Sequence, residues 1–573
     1  MPQNLFCAIL NNRITQFIQN NNFINSSQIS FSQNNRPTVH IYTSHTLIEE
    51  HVQNVKKGKI FGCFIDFSKA FDSVWHDGLM LKLIDSGIGG KTYDIIKDMY
   101  KNNRCCVKIH NRLTDYFDQT KGVRQGCCLS PTLFNIYIND LATKIERSSS
   151  PGLKLLNKEI KCLLFADDLL LLSPSPEALQ ESLNIINEYS ITWALPINLD
   201  KSKIIVFQKR HSKHNNYYSF TIGEEKLEQV KKYCYLGLTI SSTGLFDGAI
   251  TDLTEKARKI YYMLRKSLLK YNPPIKLWLK LFDSILKPIL LYGSEVWGTK
   301  FKNKLDTWDK SHPELFHLEF CKNILGVNRS CPNIACRAEL GRYPLLLDIQ
   351  KRAAKFWNHL QISKPDRHHH TAAQLRDGHP ERDPFNYLVQ KHGLSKKDLS
   401  IASKLKQLKE SCIENYTNCW KNQMKESSKL NVYRTLKKDC KLAPYLIQIK
   451  NYKQRILLTK YRLSDHSLAV EKGRHRQCWV APEGRLCVHC NINAVENEPH
   501  FLTECTKYHN IRSAYYKQFE YIHPGFINLT NQQKLPFLLG EIETCNILAS
   551  EYVQSCHILR EQAIPPINIG LNS

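Results

Sequence analysis

This chain has no apolar run long enough to cross a bilayer. Charges interrupt the longest ones, as Asp167 and Asp168 do within residues 161–173, whereas a spanning helix needs about 20 consecutive apolar residues. No membrane partner is therefore expected. The opening Met1-Pro-Gln-Asn-Leu-Phe has neither a basic segment nor a long apolar one, so no secretory leader is expected. The 20 cysteines among 573 residues are accordingly read as reduced intracellular thiols, one cluster apart. Residues 1–58 hold no glycine-rich phosphate loop, and the chain has no tandem repeat. Negative charge is scarce too. Lys and Arg number 79 against 53 Asp and Glu, leaving +26, which puts polyanions first among partners. A chain of this length exceeds one core, so about three or more domains are expected.

What is present can be taken in order. Residues 1–58 are polar and rich in Asn and Gln, with weak amphipathic helices expected at 14–25 and 43–55. Residues 60–65 form an apolar strand ending at Asp66. Asp77 then reads as the cap of a helix with the apolar face Leu79, Met80, Leu83 and Ile84. Runs 105–109 and 113–117 around Asn111-Arg112 read as a hairpin. The basic loop Lys121-Gly-Val-Arg-Gln-Gly126 leads into a helix with Ser130 as N-cap and Pro131 in the first turn. Its apolar face is Leu133, Phe134, Tyr137, Ile138 and Leu141. Such a loop can hold a phosphate, although glycine loops precede many helices. Residues 161–173 read as strand, tight turn, strand, with Asp167 and Asp168 at the tip. A Ser/Pro start at 173–177 opens a helix striped by Leu179, Leu183, Ile186, Tyr189 and Trp193. Strands follow at 203–207 and 233–240. This order implies an antiparallel or mixed sheet covered by helices on one face. Beyond residue 245 the pattern is helical, with basic residues at Lys256, Arg258, Lys259, Arg265, Lys266 and Lys270. A linker is expected at 364–384, where His368, His369 and His370 read as an exposed polar turn, and a disordered tail at 562–573.

Two ionised carboxylates at the tip of a buried hairpin are costly. Mg²⁺ would offset that cost, because it takes oxygen ligands from one or two carboxylates plus substrate phosphates. Asp pairs also occur in solvated turns, so the pair alone does not decide. Asp66 supplies a third carboxylate at another strand end. Two-metal phosphoryl transfer needs carboxylates that hold two cations about 3.5–4 Å apart, one activating a primer 3′-hydroxyl and one neutralising pyrophosphate.

The blocks around these aspartates resemble the reverse transcriptases of non-LTR (LINE-type) retrotransposons, in that family's order. Phe64-Ile-Asp-Phe-Ser-Lys-Ala-Phe-Asp-Ser-Val74 is similar to palm motif A, Gly122-Val-Arg-Gln-Gly-Cys-Cys-Leu-Ser-Pro131 to motif B, and Phe165-Ala-Asp-Asp168 to motif C. Residues 198–202 resemble motif D, and Tyr235-Leu-Gly-Leu238 the primer-grip region. Leu290-Leu-Tyr-Gly-Ser-Glu-Val-Trp297 and Glu339-Leu-Gly-Arg-Tyr-Pro344 resemble blocks that follow the thumb. The resemblance implies an α+β right-hand polymerase. Partial fingers and a palm with an antiparallel sheet would occupy 1–241 and a helical thumb 242–300. A helical region would follow at 301–460, a zinc-knuckle-like segment at 461–520, and an extension at 521–573. It implies an RNA-directed DNA polymerase working with two Mg²⁺, an RNA template, a DNA primer or target and dNTPs, in a ribonucleoprotein of nucleus and cytoplasm.

By position, the resemblance makes Asp66 and Asp167 ligands of both metals, with Asp168 completing the cluster and the Phe67 carbonyl touching a metal. Phe71 falls where a bulky side chain blocks a ribose 2′-hydroxyl, though a phenyl there equally fits core packing. Gln125 and Gly126 would line the incoming nucleotide and template. Lys201 would protonate the departing pyrophosphate, or be a surface lysine beside a turn.

Cys487, Cys490, His500 and Cys505 form a C-x2-C-x9-H-x4-C pattern. Chance alone gives about 0.7 C-x2-C pairs at this cysteine content, so the pair means little without the His and Cys that follow, which fit a tetrahedral Zn²⁺ site; reduced core cysteines are the alternative. His489 is poorly placed for the same tetrahedron. Members of the resembled family carry such a cluster followed by an aromatic and an arginine, here Tyr508 and Arg512. Nearby Arg474, His475, Arg476 and Arg485 suggest phosphate contact. Two departures from the family stand out. No apurinic-type endonuclease is recognisable, so the chain is not expected to nick its own target. Of the basic finger residues that hold the triphosphate, Arg13 and Arg36 remain, which implies a 5′-truncated element or a misplaced start. An impaired remnant that only binds nucleic acid, and an intron maturase, are the alternatives; the Phe-Ala-Asp-Asp form argues against the latter.

Overall fold

The run Lys59–Ile65 (β1) becomes the central strand of a five-stranded sheet. The hairpin of Cys162–Phe165 (β2) and Asp168–Ser173 (β3) lies on one side of it, with Lys203–Gln208 (β4) and the short Glu228–Gln229 (β5) on the other, in the order β5-β4-β1-β3-β2. All neighbours are antiparallel except β4 and β5. The computed structural model describes residues 2–562 apart from 32–34, 54, 56–57, 102, 210–216, 299–304 and 380–382. The expected tail lies outside the described residues from 563 onward.

The sheet is covered on both faces, not one. Ile60 through Ile65 are all buried. Alternate residues face two separate cores, with Ile60, Phe64, Leu170, Leu172, Ile205 and Phe207 in one and Phe61, Cys63, Ile65, Leu169, Leu171 and Ile204 in the other. A continuous apolar run, rather than an alternating one, is the pattern of a strand buried on both sides.

Helices Pro2–Asn20 (α1), His76–Asp85 (α2), Gly90–Tyr100 (α3), Ser130–Glu146 (α4) and Pro176–Thr192 (α5) supply the second core through Leu10, Ile14, Leu79, Leu83, Ile96, Leu133, Phe134, Leu179 and Ile186. The helix starts differ in detail from the sequence reading. Asp77 sits inside the first turn of α2 with Trp75 at the cap position, and Ile84 is exposed. Ser130 is the first residue of α4 and donates to the Arg124 carbonyl (2.6 Å). Ser175 does cap α5, accepting from Ala178 N at 3.3 Å. The N-terminal helices run 2–20 and 37–48, earlier than expected.

The expected strand at 233–240 is a hairpin, Lys232–Tyr235 against Leu238–Ser241, turning at Leu236-Gly237. Gly237 has φ +80, which is the chain-reversal signal inside that run. Beyond it the chain is helical. Asp247–Leu268 packs on the sheet's first face, and its core continues without a break into the later helices. Helix His368–Gly378 (α6) stands where a linker was expected. His368 and His369 are buried, not exposed, because α6 packs against helix Pro37–Ile48.

Candidate active site and metal-binding cluster

The β2–β3 hairpin closes on the pair Phe165 and Asp168, leaving Ala166 and Asp167 as a two-residue turn. Ala166 has φ +56, a left-handed conformation that a Cβ disfavours and that tends to be kept at functional sites. On the neighbouring strand Ile65 pairs with Leu169, and the antiparallel register carries Asp66 opposite Asp168. Cross-strand neighbours lie about 4.5–5.5 Å apart at Cα, and side chains two apart share a face. Asp66 and Asp168 therefore project from the Phe64 and Leu170 face, with Asp167 at the tip.

The electrostatics agree with that placement. Burial, then the charges of Asp167 and Asp66, push the Asp168 carboxyl up to about 6 against the pull of Lys201. Burial and Asp66 raise Asp167, partly offset by its own backbone N–H and by Lys201. Lys201 Nζ stands 3.5 Å from Asp66 Oδ2, the lysine 67% exposed and the aspartate 22%. Crowded, desolvated carboxylates with one exposed cation nearby form a hard-oxygen donor set suited to Mg²⁺.

Backbone bonds fix the strand end. Asn198 N donates to Asp66 O (2.7 Å), Ser68 N to Pro196 O (2.7 Å), and Asp66 N to the Oγ of buried Ser202 (3.1 Å). Phe67 pairs with Ile197, its side chain buried. Tyr233 stacks on Phe64 at 4.3 Å and 13°. Burial and the charges of Asp168 and Asp66 push its hydroxyl up to about 12. Tyr233 lies in the hairpin that the sequence reading took for one strand, so its place beside the carboxylates had no signal there.

The glycine-rich loop is strapped to the segment after Asp66. Gly122 N donates to Val74 O (2.7 Å), Val123 N to Phe71 O (2.8 Å), and His76 Nε2 lies 2.9 Å from Gly122 O. Gly122 has φ +93, and a Cβ there would meet Asp72 O at 3.0 Å. Arg124 donates to Met99 O at 2.5 Å. Gln125 and Gly126 are exposed, and Gln125 Nε2 donates to Asp72 Oδ1 at 2.9 Å. Phe71 is half-buried and stacks on Phe134 at 4.5 Å and 18°. Phe71, Gln125 and Gly126 thus share one strapped pair of segments. Arg36 lies elsewhere, close enough to His359 to help burial lower that imidazole.

The sequence-predicted cysteines and histidine also converge. One ligand atom from each of Cys487, Cys490, His500 and Cys505 lies within 4.8 Å of every other. Cys487 Sγ and Cys505 Sγ are 3.9 Å apart, and Cys490 Sγ is 3.3 Å from His500 Nε2. Tetrahedral zinc with 2.3 Å Zn–S bonds sets sulfurs about 3.8 Å apart. Burial, with Cys487 and Cys490 nearby, pushes the Cys505 thiol up to about 12, a cost that a bound cation would relieve. The outer ring is ordered as well, with Glu504 Oε2 3.5 Å from His500 Nδ1 and Arg512 donating to Cys505 O (2.6 Å). His489 faces Glu496 at 4.0 Å, outside the group. Two residues of the expected basic patch beside the cluster are engaged within the fold. Arg485 is buried and donates to Val480 O and Val470 O, and Arg474 pairs with Glu471 at 2.9 Å.

Residues 5–240 match the family described as "Reverse transcriptase (RNA-dependent DNA polymerase)". Similar proteins include "RNA-directed DNA polymerase from mobile element jockey" of Drosophila funebris, 26% identical over 275 residues that cover 46% of this chain and 28% of that protein. "Retrovirus-related Pol polyprotein from type-1 retrotransposable element R2" of Popillia japonica is 32% identical over 248 residues, 41% of this chain and 39% of the relative. Residues 5–240 are thus similar to reverse transcriptases of retrotransposable elements. The matched segment holds Asp66, Asp167 and Asp168 and ends near the 232–241 hairpin. The chain spans about a quarter to two-fifths of the length of these curated relatives. The apo telomerase of Candida Tropicalis is 12% identical with a TM-score of 0.33, covering 56% of this chain and 54% of that one, a likeness that carries no argument.

Proposed function

We propose that this protein is an RNA-directed DNA polymerase that joins dNTPs to the 3′-hydroxyl of a DNA primer paired with an RNA template. The observation that carries the reading is the register that sets Asp66 opposite Asp168, beside Asp167 at the turn, inside the segment that matches the reverse transcriptase family. Asp66, Asp167 and Asp168 would hold two Mg²⁺, which when bound activate the attacking hydroxyl and neutralise charge on the leaving pyrophosphate. Lys201, already beside Asp66, gives a proton to the departing pyrophosphate. Phe71, anchored on Phe134, offers a ring that excludes a ribose 2′-hydroxyl. Gln125 and Gly126 border the nucleotide and template from the strapped loop. The four-ligand cluster at 487–505 would hold one structural Zn²⁺.

Extension of a DNA primer on an RNA template tests the reading. Wild type extends with Mg²⁺ or Mn²⁺, and Asp167→Asn does not while still binding the template. Wild type that binds template-primer but extends it under neither metal overturns the proposal and leaves a nucleic-acid binder.

A further inference from the structure

Gln28 belongs to no motif, yet it is fully buried against the carboxylate hairpin. Leu164 N donates to Ser27 O (2.9 Å) and Ile29 N donates to Leu164 O (3.2 Å), so residues 27–29 run parallel to β2 and cover its free edge. The Gln28 amide then reaches around to the turn. Ala166 N donates to its Oε1 at 3.3 Å, and its Nε2 lies 3.5 Å from Ala166 O. Oε1 also accepts from Ser30 N at 3.0 Å, which fixes the amide plane. Both polar backbone groups of the left-handed turn residue therefore face one side chain. A buried peptide group left without such a partner is costly, so losing the amide would release the residue that precedes Asp167.

Gln28 is itself held from a distant part of the chain. Arg367, just before α6, donates to Gln28 O (3.0 Å) and Asn25 O (3.4 Å). His368 Nε2 lies 2.9 Å from Ser27 Oγ. On the opposite side Glu146 accepts from Ser27 Oγ and Asn25 Nδ2, both at 2.8 Å. The chain of contacts runs from α6 through residues 25–30 to the Ala166–Asp167 turn.

We propose that Gln28 is a positioning residue for the metal-binding turn, and that Arg367 and His368 at the start of α6 hold it there. The helical region after the thumb is on this view part of the active-site scaffold. The inference rests on the polymerase reading for its consequence in catalysis, but its metal-binding consequence stands apart from turnover.

The test compares wild type with Gln28→Met, which keeps length and removes all three side-chain hydrogen bonds, and with Arg367→Met and Arg367→Lys. Mn²⁺ binding to the free protein is read by titration, primer extension as a function of Mg²⁺, and folding by thermal melting. Gln28→Met weakens Mn²⁺ binding and raises the Mg²⁺ needed for half-maximal extension by about tenfold, leaving the Kd for template-primer within about twofold. Arg367→Met shifts both in the same direction, and Arg367→Lys restores part of the loss. If Gln28→Met does not fold, the Arg367 pair carries the same comparison. Metal binding and Mg²⁺ dependence equal to wild type in folded Gln28→Met or Arg367→Met overturns the inference. If wild type binds Mn²⁺ but extends nothing, the polymerase reading fails, while the Mn²⁺ titrations still decide the role of Gln28.

Discussion

Asp168 is raised to about 6 by burial and by two neighbouring aspartates, and that fixes the sign of its pH dependence without metal. Its folded pKa lies above the usual carboxylate value near 3.9. Its contribution to stability is therefore full below about pH 4 and lost as pH rises through about 6. Mg²⁺ binds the ionised form, so stabilisation by Mg²⁺ should grow as pH rises past 6. Melting temperatures with and without Mg²⁺ from pH 5 to 8 check this, and Asp168→Asn should flatten the difference. Phe71 stacks on Phe134 and meets Phe31 in a T-shaped contact at 6.3 Å, so its truncation tests what the ring excludes. Phe71→Val is expected to raise ribonucleotide use relative to dNTP use about tenfold or more, roughly 1.4 kcal/mol of discrimination, measured by competitive incorporation. The aspartates were legible in the sequence because apolar runs frame them. Gln28 and Tyr233 were not, because Gln28 meets Ala166 and Tyr233 meets Phe64, Asp66 and Asp168 from far along the chain and no local spacing encodes that.

At the level of elements, strand and helix faces followed the apolar spacing closely, while the caps expected at Asp77 and Ser130 fell inside their helices. Leu133, Phe134, Tyr137, Ile138 and Leu141 are all buried on α4 as their period requires, but its cap lies at Leu129 rather than Ser130. The histidines at 368–370 misled for a different reason. Polar residues in sequence suggest solvent, yet burial by helix Pro37–Ile48 keeps two of them neutral. Burial chiefly, with neighbouring His40 and Arg367, lowers His368 and His369 to about 3, and burial with Arg367 lowers His40 to about 4. These folded values lie below the ordinary 6.5. The unfolded chain binds more protons, and stability should fall as pH drops below about 6.5. Denaturant titrations at pH 7 and pH 5 read the loss, and His369→Gln should reduce it. Gly122, at φ +93 with Asp72 O in the path of a Cβ, should not tolerate a side chain. Gly122→Ala is expected to cost about 1–2 kcal/mol by denaturant unfolding and to disturb the loop that carries Gln125.

Across the whole molecule, Glu339 in the block at 339–344 ties distant helices together. Glu339 is fully buried, accepts from Arg462 at 2.5 Å and from Tyr433 at 3.0 Å, and Arg462 continues to Glu541 at 2.8 Å. Removing one partner of such a pair strands a buried charge, at a cost of about 3–5 kcal/mol, so Glu339→Ala should unfold the region after the thumb at lower denaturant than wild type. Chelation should act on the same half. Loss of a structural metal from Cys487, Cys490, His500 and Cys505 is expected to lower the melting temperature, with about one zinc per chain found by metal analysis and lost in Cys487→Ser. The sheet and the helical character beyond residue 245 were legible from apolar spacing, and the continuity of the later helices was not, because buried ion pairs between distant helices leave no periodic trace.

The most direct measurement is single-turnover primer extension on an RNA template by Asp66→Asn, Asp167→Asn and the double variant, each shown to bind template-primer as wild type does. Side chains that work as one metal site are non-additive. Each single variant should lose about a thousandfold or more, and the double variant should be little worse than either alone. Wild-type rates in Asp66→Asn, or losses that simply multiply, would contradict a shared site.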